Sequence, residues 1–153
     1  MEKQNINILY VDDEMGNLTG FTAFFRRYYT VFTAISAKKA KFILSKNEIH
    51  VLITDQRMPE TVGTKLLELC MREYPEPTRI LLTGYADSET IIDAFQKGLM
   101  CKYILKPYNS DELKEVIDAS YKVYKLNRIK EGLYKEWVKM QKKVTILKKK
   151  NEH

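Results

Sequence analysis

Short apolar runs recur along the chain, and each ends in a reactive polar group. Ile6 to Val11 closes on Asp12-Asp13-Glu14, Val51-Leu52-Ile53-Thr54 on Asp55, Arg79-Ile80-Leu81-Leu82 on Thr83-Gly84, and Tyr103-Ile104-Leu105 on Lys106-Pro107. Runs this short and this apolar fit parallel strands buried on both faces. Tyr29 to Ala34 is β-branched and aromatic and reads as a further strand. Between the strands the apolar spacing changes to three and four. Leu18, Phe21, Phe25 and Tyr28 predict a helix from Met15 to Tyr28. Ser36 is placed to cap a helix running to about Ser45, with Ala37, Ala40, Ile43 and Leu44 inward. Thr64 to Tyr74 reads as a helix ended by Pro75 and Pro77. Asp87 or Ser88 caps a helix from Glu89 to Lys97, which Gly98 terminates. Ser110-Asp111-Glu112 opens a long helix with acid in its first turn.

The order is strand then helix, five times over, which argues for an α/β fold on a parallel sheet. Right-handed crossovers put helices on both faces. The expected architecture is a flavodoxin-like (βα)5 unit with strand order 2-1-3-4-5 and an extended C-terminal helix. Ligands bind beyond the carboxyl ends of such strands. Asp12, Asp13 and Asp55 would then meet where the first and third strands lie side by side.

The helical pattern continues past the length this fold needs. Leu126, Ile129, Leu133, Trp137, Met140, Val144 and Leu147 recur at three- and four-residue steps, a coiled-coil-like seam with one 3-4-4 irregularity. The expected division is a globular domain over residues 1–122 and a basic helical extension over 123–153. Charge follows it. Residues 121–153 hold 11 Lys+Arg against 3 Asp+Glu, whereas residues 1–120 hold 15 against 17, so the net charge of +6 belongs to the tail. The lysines read as a solvated face, since no aromatic stacking platform accompanies them, and nucleic acid is not an expected partner. The exposed seam needs a partner, most simply a second copy through the C-terminal helix.

No apolar run approaches the ~20 residues of a membrane span. The polar Met1 to Ile6 leads straight into a strand, with no signal segment expected. Cys70 and Cys101 lack metal-ligand spacing and are expected as reduced, small apolar groups, which fits a cytoplasmic protein.

Three carboxylates at one rim repel, and a hard cation relieves that repulsion. Oxygen ligands with room for water suit magnesium (Mg²⁺), and neither histidine lies in a motif, which counts against zinc. Taken singly, Asp12 or Asp13 could instead be a helix cap. Asp55 can act as a nucleophile toward phosphorus, with Lys106 and Thr83 placed to meet the phosphoryl oxygens. Lys106-Pro107 reads either as a surface lysine before a turn or as a lysine aimed into the acidic cluster over a cis peptide.

Together, Val11-Asp12-Asp13-Glu14, Thr54-Asp55, Leu82-Thr83-Gly84 and Tyr103-Ile104-Leu105-Lys106-Pro107 resemble the receiver domain of bacterial two-component response regulators, from residue 5 to about 122. The resemblance implies that a sensor histidine kinase donates a phosphoryl group to Asp55. It implies magnesium ligation by Asp13, Asp55 and the backbone carbonyl of Arg57, with Asp12 close by. It also implies phosphoryl contact by Lys106, a switching Thr83, and Tyr103 as the aromatic switch. The action is self-catalysed phosphotransfer and dephosphorylation, not that of a metabolic enzyme. Finer features resemble receivers that often precede HD-GYP-type output domains. The target would be a downstream protein or an output domain missing from this chain. Two departures stand out: Glu60-Thr61-Val62 before Gly63, and one extra residue between Gly98 and Tyr103. Among alternatives, a magnesium phosphohydrolase would need a second aspartate where Arg57 stands. A flavodoxin-like cofactor binder would need a phosphate loop where Asp12-Asp13-Glu14 stands, and a DNA-binding regulator would act through the basic tail.

Overall fold

A computed structural model of the protein describes residues 3–85 and 88–152. Its elements are β1 (Asn7–Val11), α1 (Met15–Phe25), β2 (Thr30–Ala34), α2 (Ala37–Lys46), β3 (Val51–Asp55), α3 (Gly63–Glu73), β4 (Thr78–Thr83), α4 (Glu89–Gln96), β5 (Lys102–Leu105) and α5 (Ser110–Asn151). The strands form one parallel sheet in the order β2-β1-β3-β4-β5. This is the expected flavodoxin-like (βα)5 topology with a long final helix.

The two-residue period of the strands sorts the core into two layers. Leu9, Val11, Leu52 and Leu81 face Ala40 and Leu44 of α2, Leu66, Leu67 and Cys70 of α3, and Ile91 and Ala94 of α4. Ile8, Tyr10, Ile53, Ile80 and Leu82 face Leu18, Phe21 and Phe25 of α1 and Leu113 and Ile117 of α5. β3, at the sheet centre, is buried along its whole length. The edge strands are less buried, and for β5 this departs from the sequence expectation. β5 is at most half-buried, with Leu105 exposed, and β2 buries fully only Ala34. An edge strand is flanked on one side only, so burial on both faces holds only toward the centre.

α1 ends at Phe25, earlier than the expected Tyr28. The Tyr28 and Tyr29 N–H groups both fold back to the Phe25 carbonyl. The chain thereby turns to bury Tyr29, whose hydroxyl donates to Asp118 Oδ1 at 2.6 Å. Tyr28 still packs against Phe24, ring centroids 6.0 Å apart, so its helical spacing reflects an aromatic cluster. The caps follow the sequence at α2 and α4, where Ser36 accepts from the Lys39 N–H and Ser88 from the Ile91 N–H. The alternative cap Asp87 lies outside the described residues. α5 opens at Ser110 as expected, with Asp111 and Glu112 in its first turn, and Asn109 caps it by accepting from the Asp111 and Glu112 N–H groups at 2.9 and 3.1 Å. Gly98 takes φ +75°, the left-handed turn that stops the α4 segment. Both cysteines are free. Cys70 is buried as expected, whereas Cys101 is exposed because it stands just before the edge strand β5.

The connection from β3 to α3 passes close under the sheet end. Glu60 adopts φ +68°, and Gly63 follows with its N–H bonded to the Gln56 carbonyl at 3.0 Å. A Cβ at Gly63 would overlap the Asp55 carbonyl oxygen and crowd Leu81. Glycine is therefore required by close approach. Gly63→Ala is expected to cost about 1–3 kcal/mol, as overpacking does, read as a lowered urea midpoint at unchanged slope.

Candidate functional site

The site forms where the chain leaves β1 and β3. These strands are neighbours, with Val11 paired to Thr54, so Asp12 and Asp55 emerge side by side. β4 lies on the other flank of β3 and β5 beyond it, with Asp55 paired to Leu82 and Thr83 to Leu105. The Lys106 N–H donates to the Thr83 carbonyl at 2.9 Å, fixing the chain as it leaves β5. The Lys106–Pro107 peptide is cis.

Asp12, Asp13 and Asp55 each offer a carboxylate oxygen, and these oxygens lie within 4.8 Å of one another. Asp12 and Asp55 are buried and Asp13 is exposed. Lys106 reaches across to pair with Asp55 Oδ1, and its Nζ stands 3.9 Å from Asp12 Oδ2. Burial raises the Asp55 carboxyl above its ordinary range; Lys106 opposes this by hydrogen bond and charge, while Asp12 and Asp13 add to it. The pocket is therefore a frustrated set of negative charges with a single ammonium inside it. An all-oxygen donor set of this charge, open on the Asp13 side, fits a hard divalent cation.

Two residues overlooked in the sequence reading fix Asp12. Tyr10 donates its hydroxyl to Asp12 Oδ2 at 2.7 Å, and Asn17 donates from Nδ2 to the same oxygen at 3.0 Å. Asp12 Oδ1 accepts from the Glu14 N–H at 2.9 Å, so Asp12 does shape the approach to α1 while remaining in the acidic cluster. Burial, then the bond to Asp12, raises the Tyr10 phenol and keeps it a neutral donor. The two-residue period carried the signal: Tyr10 is a polar-tipped residue two before Asp12, on the same strand face. Asn17 lies one helical turn in from Asp13.

The other expected residues stand around this core. Thr83 is buried at the end of β4, where its Oγ1 accepts from the Tyr85 N–H at 3.1 Å. Arg57 is exposed on the β3–α3 connection with its guanidinium 4.1 Å over the Tyr85 ring. Tyr103 does not join the cluster. It is half-buried in β5, edge-on to Phe95 of α4 with centroids 5.7 Å apart.

A (βα)5 sheet that gathers carboxylates and a lysine at its carboxyl rim defines a phosphoacceptor-type signalling domain. The comparisons agree. The response regulator receiver domain profile matches residues 8–118, and the chain belongs to that family. It is 31% identical over 121 residues to the hydrogenase transcriptional regulatory protein HoxA of Bradyrhizobium diazoefficiens, covering 79% of this chain and 25% of that protein. A solved structure described as adenylate cyclase from Rhodopirellula baltica superposes with TM-score 0.81 at 29% identity, covering 86% of this chain and 98% of that one. The signal receiver domain of an HD domain-containing protein from Pseudomonas fluorescens superposes with TM-score 0.73 at 29% identity, covering 79% and 98%. The chain spans about a quarter of the length of the first curated relatives it matches. No helix among the described residues is long and apolar enough to cross a membrane.

Removing the Tyr10 hydroxyl leaves a buried carboxylate oxygen with one donor fewer. Tyr10→Phe is expected to lower stability by about 1.5 kcal/mol, as loss of a hydrogen bond to a charged group does, read by urea denaturation at neutral pH.

Proposed function

We propose that the protein is a response regulator that takes a phosphoryl group from a sensor histidine kinase onto Asp55 in a magnesium-dependent step. The observation that carries this reading is the convergence of three carboxylates, one of them paired with Lys106, at the carboxyl rim of the sheet. An Asp55 carboxylate oxygen attacks the phosphorus of a phosphohistidine, a P–O bond forms, the P–N bond breaks, and the imidazole leaves with the electron pair. Asp12, Asp13, Asp55 and the Arg57 backbone carbonyl would hold Mg²⁺, which would supply neutralising charge to the phosphoryl oxygens. Lys106 gives a second cation at the same place, exchanging part of its pairing with Asp55 for the incoming oxygens. Thr83 releases the Tyr85 N–H and turns its hydroxyl toward the phosphoryl group, and Tyr103 moves into the space vacated. The readout face is then α4, β5 and the start of α5. Tyr10 and Asn17 act as positioning residues by holding Asp12 in place.

On this reading residues 1–122 are the receiver and 123–153 a basic helical extension through which the protein forms a homodimer. The reaction is self-catalysed phosphotransfer and dephosphorylation in the cytoplasm, not metabolic turnover. Activation is read by a downstream protein or an output domain.

Incubation with a small-molecule phosphodonor and Mg²⁺ is expected to add one phosphoryl mass to the wild type and none to Asp55→Asn, by intact mass spectrometry. Equal labelling of both proteins would overturn the assignment. Arg57 stands two residues after Asp55 with its guanidinium over the Tyr85 ring, and Arg57→Ala is expected to shorten the acyl-phosphate lifetime by opening that flank to water. A lifetime equal to that of the wild type would remove Arg57 from the account.

A further inference from the structure

Beyond Tyr124 no described residue is buried, yet α5 continues to Asn151, a further stretch of about 40 Å at 1.5 Å per residue whose first turns border Pro75 and Glu76 of the receiver. Leu126, Leu133, Trp137, Met140, Val144 and Leu147 are 41–65% exposed along it. The helix meets the receiver through Leu113, Ile117, Ser120 and Tyr124, a stripe that leaves the adjoining side bare. On that side Val116 is half-buried at the edge of the core, and Ala119 and Val123 are exposed, flanked by a shallow cavity of about 290 Å³ that also touches Cys101 and Lys102. The apolar stripe of the tail therefore begins on the receiver itself.

Starting the frame at Val116 removes the 3-4-4 irregularity. Val116, Val123, Lys130, Trp137 and Val144 fall at position a, and Ala119, Leu126, Leu133, Met140 and Leu147 at position d. The heptads run unbroken for 32 residues, beyond the three or four that mark a coiled coil. Gly132 falls at an outer position. The one polar core layer is Lys130, and a single lysine at a fixes register and strand number at some cost in stability. We propose that a second copy of this chain covers this face as a parallel, in-register, two-stranded coiled coil whose seam starts at Val116 inside the receiver. This deepens the homodimer reading above and rests on it.

A parallel, in-register arrangement stacks like on like across a two-fold axis that runs along the helices. Trp137 meets Trp137, and Lys130 meets Lys130. In this pairing Ile129 of one helix lies beside Tyr134 of the other, so the Lys130 stem has apolar flanks while its amine reaches water. Neighbouring pairs that would flank the seam, such as Glu136 with Gln141 and Lys143 with Lys148, join no opposite charges. Apolar layers, not ion pairs, thus hold the seam. An antiparallel pairing would instead set Lys130 against apolar layers of the partner.

The test uses the full chain in a Cys101→Ser background. The remaining native thiol, Cys70, is buried and its pKa is pushed up to about 11 by that burial, so it stays out of the reaction. Leu126→Cys and Met140→Cys at d, and Arg128→Cys at an outer position, are oxidised separately, with sedimentation of the wild type run alongside. The first two are expected to form disulfide-linked dimers at least tenfold faster than the third. Lys130→Leu, which removes the charged layer, is expected to tighten self-association at least tenfold. A wild-type dimer in which neither d position crosslinks faster than Arg128→Cys would overturn the parallel register while leaving the homodimer reading. A wild type that sediments as a monomer throughout a dilution series would overturn both.

Discussion

The ion pair between Lys106 and Asp55 is the interaction on which the site depends. Asp55 ends the most buried strand of the sheet, beside two further carboxylates, and burial already disfavours its charged form. Without an ammonium aimed at it, the carboxyl would be driven toward protonation. Lys106 is brought there by β5, two strands away, and by the backbone bond from its N–H to the Thr83 carbonyl. The electrostatics at the rim therefore depend on the whole β3-β4-β5 half of the sheet being in register.

The charges at the rim are only partly compensated. Asp12 accepts from Tyr10, Asn17 and the Glu14 N–H, so its side chain is held in place. Asp13 is exposed and free to meet a cation from solvent. Asp55 has Lys106 on one oxygen, and its second oxygen is the candidate nucleophile. A pocket with one fixed, one exposed and one paired carboxylate favours an incoming cation and an incoming phosphoryl group together, since each offsets the charge the other adds. Gly63 belongs to the same design, because any larger residue would push against the Asp55 carbonyl.

The elements legible in the sequence are those with strong patterns. The β3 run Val51–Thr54 and the Asp55 that closes it follow directly from a continuous apolar stretch ended by an acid. Asp12, Asp13, Asp55 and Lys106 were legible as a set because strand order dictates which strand ends meet. Tyr10 and Asn17 were passed over: their spacing puts each within reach of Asp12, but a tyrosine in an apolar strand and an asparagine on a helix read first as core and surface. The end of α1 was misplaced because Tyr28 satisfies a helical spacing through a tilted ring contact with Phe24, while its N–H turns back to the Phe25 carbonyl. β5 was expected to be more buried than it is, because an apolar run does not reveal that its strand lies at an edge. The apolar spacing of the tail was visible, but not that Val123, where α5 leaves the receiver, is exposed.

Linkage of folding stability to magnesium tests the central claim most directly. A cation held by the native rim and absent from the unfolded chain must stabilise the fold in proportion to its occupancy. The urea midpoint of the wild type should rise with Mg²⁺ concentration and that of Asp13→Asn should stay nearly flat, since Asp13 is exposed and its loss leaves the core packing intact. An equal rise in both proteins, or no rise in the wild type, would contradict the claim that these carboxylates form a cation site.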